Sequence, residues 1–92
     1  MALTDTLKAI NDPVRRQILE LLKKGDQSAG DIAAQFDLSQ ATVSYHLKLL
    51  RQAGLVDLNK DKNFIYYSLN LSVFEELLGW IYDLGGNQHE KS

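Results

Sequence analysis

Apolar positions along the chain follow two periods, one helical and one extended. Leu3, Leu7 and Ile10 stand at i, i+4 and i+7 and predict a short helix from Thr4 to Asn11. Asp12-Pro13 restarts the chain. Aspartate is a favoured N-cap because its carboxylate accepts from free first-turn N–H groups, and proline suits the first helical position, where no N–H is needed. Val14, Ile18, Leu21 and Leu22 form the next stripe; Glu20 and Lys24 pair at i,i+4 on its exposed side, and Gly25 ends it. Ser28 opens a third helix, with Asp31 as the acidic residue at N3 and Ile32, Ala33 and Phe36 as its apolar positions. Only Asp37-Leu38 separates it from the next start at Ser39. So short a connection makes two helices cross steeply, and aspartate adopts φ > 0 more easily than most residues. The fourth helix runs from Ser39 to Ala53, with Val43, Leu47 and Leu50 inward and Gly54 as its stop.

The period then changes from 3.6 to 2. Leu55 to Lys60 and Phe64 to Leu69 are short runs rich in Val, Ile, Phe and Tyr, joined by the polar stretch Asn59 to Asn63, which reads as a β-hairpin with a polar tip. Ser72 with Glu75 makes a capping box for a last helix that fades at Gly85-Gly86, leaving His89 to Ser92 as a frayed tail. The expected fold is mainly α with a β-hairpin wing: one winged helix-turn-helix domain over residues 1–92, with the helix-turn-helix at 28–53 and the wing at 55–69. At 92 residues there is room for one domain and a thin core, so a partner subunit is plausible from length alone.

The fourth helix carries the candidate chemistry. On a wheel of ~100° per residue, Ala41, Ser44, Tyr45, Lys48 and Gln52 gather opposite the apolar side. Small residues let a helix sink into a groove, hydroxyls and amides address base edges, and lysine neutralises phosphate. Ser39, Gln40 and Thr42 lie in or beside the first turn, where free N–H groups favour an anion. No acid occurs between Ser39 and Val56 in a chain with 12 of them. The net charge of −2 excludes a histone-like polycation, yet its distribution is uneven. Residues 39–62 carry +2, residues 63–92 carry −3 and residues 1–38 carry −1. Lys60 and Lys62 put part of the positive charge on the wing. Candidate DNA-facing residues are therefore Ser28, Ser39, Gln40, Ala41, Thr42, Ser44, Tyr45, His46, Lys48, Lys60 and Lys62.

At this point a resemblance emerges. The run Ala9 to Leu19, with its Asp12-Pro13-Val14-Arg15 opening, Asp31-Ile32-Ala33, the run Leu38 to Leu50, Ala53-Gly54-Leu55-Val56 and Tyr66-Tyr67-Ser68-Leu69 together resemble the ArsR family of regulators, over roughly residues 7–70. Length and the short final helix are most similar to the small SdpR-type autorepressor branch of that family. The resemblance implies a homodimeric winged helix repressor of transcription that binds an imperfect palindrome in double-stranded DNA near its own promoter. It also implies relief of repression by a sequestering protein partner. The cysteines of metal-sensing members are absent, so no metal and no cofactor is expected.

Other features narrow the reading. With zero cysteines there is no disulfide or thiolate site. No apolar run approaches the ~18 residues of a membrane span, and the first residues lack the basic and apolar regions of a signal peptide, which points to the cytoplasm. Ser44 and His46 lie two apart on different helix faces and cannot form a nucleophile–base pair, so no catalytic residue is expected. Arg15 and Arg16 read as surface or structural ion-pair partners; Phe64, Tyr66 and Tyr67 read as packing residues of the hairpin rather than base-stacking platforms. A winged helix used only for protein contact is the competing function, given the acidic balance.

The dimer is read from surplus apolar surface. Apolar residues cover about 200° of the last helix, whereas a surface helix needs little more than ~100°. One side is expected to cover its own domain and the rest to meet a second copy. Helices 1–11 and 72–86 are the predicted dimerisation elements, through Leu3, Leu7, Ile10, Phe74, Leu77, Trp80, Ile81 and Leu84. Gly79 in mid-helix suits a close approach of another backbone.

Overall fold

A computed structural model of the chain describes the backbone of residues 3–89 and the side chains of residues 3–85. The order is α1 (Leu3–Ile10), α2 (Pro13–Lys24), α3 (Ala29–Phe36), α4 (Gln40–Gln52), β1 (Val56–Asp61), β2 (Phe64–Leu69) and α5 (Leu71–His89). The winged helix-turn-helix expected from the periodicity is present.

Local chemistry accounts for the helix starts. The Asp12 carboxylate accepts from Arg15 N at 3.0 Å, Ser28 Oγ from Asp31 N at 3.1 Å and Ser39 Oγ from Thr42 N at 3.1 Å. Each replaces a partner that first-turn N–H groups lack within the helix. Between α3 and α4, Asp37 turns the chain in the left-handed region at φ 54°, ψ 43°. Ile18, Ile32, Val43, Leu47, Leu50 and Leu55 are completely buried and form the centre of the core, with Leu22 and Val56 beside them. They come from α2, α3, α4 and the chain just after α4, so the core clamps α4 along its whole apolar side.

The wing is tighter than its composition suggested. β1 and β2 pair antiparallel from Val56↔Leu69 to Asp61↔Phe64, leaving only Lys62-Asn63 as the connection. Asn59 and Lys60, where the first run and the polar stretch overlap, pair with Tyr66 and Ile65, and Asp61, expected in the tip, pairs with Phe64. Cross-strand contact with large β2 side chains overrides the weak strand preference of Asn and Lys, and Asn59 Nδ2 donates to Ser68 Oγ at 2.8 Å. The short turn puts Lys62 at φ 58°. A third strand of one residue was not legible in the sequence: Gln27 and Tyr67 exchange both backbone hydrogen bonds, at 3.1 and 2.8 Å, tying the hairpin to the α2–α3 connection.

Two expectations about α5 are corrected. Its N-cap is Asn70, whose Oδ1 accepts from Ser72 N at 3.0 Å, two residues before the expected Ser72 box. Nor does the helix fade at Gly85-Gly86; it continues to His89, so His89 belongs to the helix rather than to a tail. Glycine weakens a helix interior by only ~1 kcal/mol, and ending one here needs a left-handed residue, whereas the positive-φ glycines are Gly25 and Gly54. Glu90, Lys91 and Ser92 lie outside the described residues. A third correction concerns packing. α5 covers its own domain only through its first two turns, where Val73 is buried and Phe74 and Leu77 are half-buried; Leu78 to Gly85 are all exposed.

Candidate nucleic-acid interface

The helix-turn-helix holds α4 with one side sealed and the other bare. Its buried side is Val43, Leu47 and Leu50. Gln40, Ala41, Thr42, Ser44, Tyr45, Lys48, Arg51 and Gln52 are exposed. Tyr45, 58% exposed, is the largest side chain on this face. The Gln40 side chain reaches back to the first turn of α3: a Cβ placed on Gly30 would stand 3.9 Å from Ser28 Oγ and 4.0 Å from Gln40 Oε1. At the start of α4, the first-turn N–H groups that the Ser39 cap leaves unpaired favour an anion such as phosphate. Ser28 and Ser39 are both N-caps, and Ser39 Oγ also donates to Thr42 Oγ1 at 2.8 Å, so these hydroxyls already have partners within the fold.

His46 departs from the rest of the expected set. It is half-buried, and its Nδ1 stands 3.3 Å from Nη1 of Arg15 on α2. A guanidinium only donates, so Nδ1 accepts and the ring proton sits on Nε2. His46 therefore turns toward α2 and away from the face carrying Ser44 and Lys48, although its ring still meets that of Tyr45 edge-on at 5.6 Å. Arg15 satisfies the structural reading: its Nη1 lies 3.9 Å from Asp12 Oδ2. The Asp12 carboxyl is held below its ordinary range chiefly by the hydrogen bond from the Arg15 backbone N–H; burial opposes this, and the nearby guanidinium charge adds a lesser lowering effect.

On the wing, Lys60 and Lys62 are exposed. Of the three β2 aromatics only Tyr67 packs against the core; Phe64 stacks on Tyr66 with ring centroids 6.1 Å apart and stays 63% exposed. Phe64 thus packs within the hairpin, on Tyr66, rather than on the core, because the two-residue turn carries the strand ends beyond it. Among the described residues, no three His, Cys, Asp or Glu side chains come together in a metal-holding group, and no helix is long and apolar enough to cross a membrane.

Both the sequence and the fold that carry the α4 face find counterparts among known regulators. Residues 12–57 match the bacterial regulatory protein, arsR family. The chain belongs to the arsR family. It is 46% identical over 79 residues to the transcriptional repressor SdpR of Bacillus subtilis, covering 86% of this chain and 88% of that one. It is 37% identical over 76 residues to an arsenical resistance operon repressor of Staphylococcus aureus, covering 83% of this chain and 73% of that one. In three dimensions it is similar to an ArsR-like transcriptional regulator from Rhodococcus sp. RHA1, with TM-score 0.89 at 26% identity, over 97% of this chain and 82% of that one. The arsR match runs from the N-cap of α2 to the second residue of β1, so it contains the helix-turn-helix and leaves α1 and α5 outside.

Proposed function

We propose that the protein is a sequence-specific DNA-binding repressor of transcription that acts in the cytoplasm as a homodimer on a palindromic operator at its own promoter. The observation that carries this reading is the exposed, acid-free face of α4, where Ala41, Ser44, Tyr45, Lys48 and Gln52 stand together on a helix whose other side is locked into the core. Ser44 and Tyr45 address base edges, Lys48, Lys60 and Lys62 address phosphates, and Gln40, Thr42 and the caps Ser28 and Ser39 place the α4 N-terminus on the backbone. The homodimer is supported by the apolar residues left open on α1 and α5. Leu7 is 42% exposed, Trp80 42%, Ile81 50% and Leu84 55%, and exposed apolar side chains grouped on one element are a feature of protein–protein interaction sites. Relief of repression falls to a protein partner rather than a metal, in line with a chain that has no cysteine.

Selection from a random duplex pool tests the reading. The expected product is a two-fold motif with half-sites ~34–36 Å apart, one helical turn. Binding should weaken steeply with salt, because each neutralised phosphate releases counterions. No enriched motif, or an asymmetric one alone, would overturn the palindrome; retention on DNA that ignores salt would favour the winged helix as a protein-contact module.

A further inference from the structure

The last turn of α1 is fastened by two arginines of α2. Arg15 Nε donates to Ala9 O at 2.7 Å and Arg15 Nη2 to Lys8 O at 3.3 Å, while Arg16 Nη1 donates to Ile10 O at 2.8 Å. Lys8 O and Ile10 O otherwise accept only the short turn bonds from Asn11 N and Asp12 N, at 3.2 and 2.8 Å, in place of full helical ones, and a cation at a helix C-terminus also meets the negative end of its dipole. Arg16 is exposed and stops there. Arg15 goes further: its side chain is only 12% exposed, and its remaining arm reaches His46 on α4. One guanidinium thus touches α1, the N-cap of α2 and the recognition helix at once. α1 is also the helix whose outer side, Leu3 and Leu7, is left for a second copy, since its buried residues are Thr6 and Ala9.

We propose that Arg15 is a positioning residue, acting through His46, that sets the angle between α1 and α4 and thereby the distance between the two recognition helices of the dimer. The inference rests on the DNA-binding reading above. Base preference within a half-site belongs to the α4 face, which Arg15 does not touch. Spacing between half-sites belongs to the joint between the dimer helix and the reading helix, which Arg15 holds.

The experiment measures affinity of the full-length protein for three duplexes built on the selected motif: the complete two-fold site, a single half-site, and the two-fold site with one base pair inserted at its centre. Arg15→Gln is expected to weaken the complete site about tenfold, the scale of one hydrogen bond to a charged group. It should leave the half-site within about twofold, and the preference for the native spacing should shrink toward one. His46→Leu, which keeps Arg15 on the α1 carbonyls, should do the same, and it keeps the test open if Arg15→Gln does not fold. His46→Asn places an acceptor near the site of Nδ1 and should restore the wild-type preference for spacing. A purely structural role predicts equal losses on all three duplexes, or none; either result overturns the proposal while leaving DNA binding in place. Failure of the wild type to bind any of the three would overturn both.

Discussion

α4 and α5 are both amphipathic helices of this small domain, and they spend their surfaces in opposite ways. α4 is sealed on its apolar side, where three residues are completely buried, and bare on a polar side without an acid. α5 buries Val73 near its start and then leaves Leu78, Trp80, Ile81, Tyr82 and Leu84 at 42 to 64% exposure, beside the acids Glu75, Glu76 and Asp83. A helix held by its own core can keep its outward face polar and present it to a polyanion. A helix that its own core does not hold leaves apolar surface for another protein surface to cover, and acids beside it disfavour a polyanion. This contrast is what supports the proposal that the two helices meet different partners.

Removing the apolar anchor of α5 should break the contrast most severely. Trp80→Ala deletes an aromatic from both sides of a two-fold interface, and anchors of this kind carry ≥ 2 kcal/mol each. Dimer affinity should fall roughly a thousandfold, operator binding should disappear, and the α4 face should remain folded. Sedimentation and circular dichroism read the two halves of this statement; a wild type that sediments as a monomer at micromolar concentration would remove its basis.

A smaller effect sharpens the polar side. Lys62→Gly removes one cation from each wing and should lower the salt slope of DNA binding by about 2. The same change relieves a residue held at φ 58°. Relief of about 1–2 kcal/mol in the left-handed region offsets glycine's entropic penalty of about 0.5–1 kcal/mol. Urea unfolding should therefore show stability unchanged or slightly raised while binding weakens for all sequences alike. An unchanged slope would mean that Lys62 meets no phosphate.

The smallest effect lies at Asp12, the N-cap of α2 beside Arg15. Folding lowers its pKa from an ordinary 3.8, so the folded state favours the carboxylate. Its contribution is fully present above that ordinary value and is lost as pH falls through the lowered one. Asp12→Asn keeps an acceptor at the cap but not the charge. The stability gap between it and the wild type should be open at neutral pH and close as pH falls below the ordinary carboxylate value and through the lowered one. A gap that ignores pH would show that the charge plays no part.

Most of the fold was legible because its determinants are local. Asp12, Ser28 and Ser39 stand where caps were expected, and Val43, Leu47 and Leu50 are buried as the helical period required. What escaped the sequence depends on pairing across distance. Nothing local tells that Gln27 will bridge Tyr67 forty residues away, or that Asp61 will be drawn into a strand by Phe64. The α4 face could be drawn on a wheel, but the turning of His46 toward Arg15 could not, because thirty-one residues separate the two. The end of α5 was misjudged for another reason: two adjacent glycines resemble a stop only if the backbone leaves the helical region, and composition does not fix that.

The Gln27–Tyr67 bridge gives the wing an uneven stiffness. At one end Val56 is buried, Asn70 N donates to Leu55 O at 2.9 Å, and Tyr67 is clamped from its far side by Gln27. At the other end every residue from Asn59 to Ile65 is exposed, and two strands alone hold together only marginally in water. The hairpin is a beam clamped at its root and free at its tip, with thermal motion growing along its length. Backbone amides should exchange with solvent slowly at Tyr67 and quickly at Phe64, since local opening needs less free energy toward the tip. A wing tip that meets DNA must first give up that motion, so each of its contacts contributes less net affinity than the same contact made from α4, whose backbone is already still.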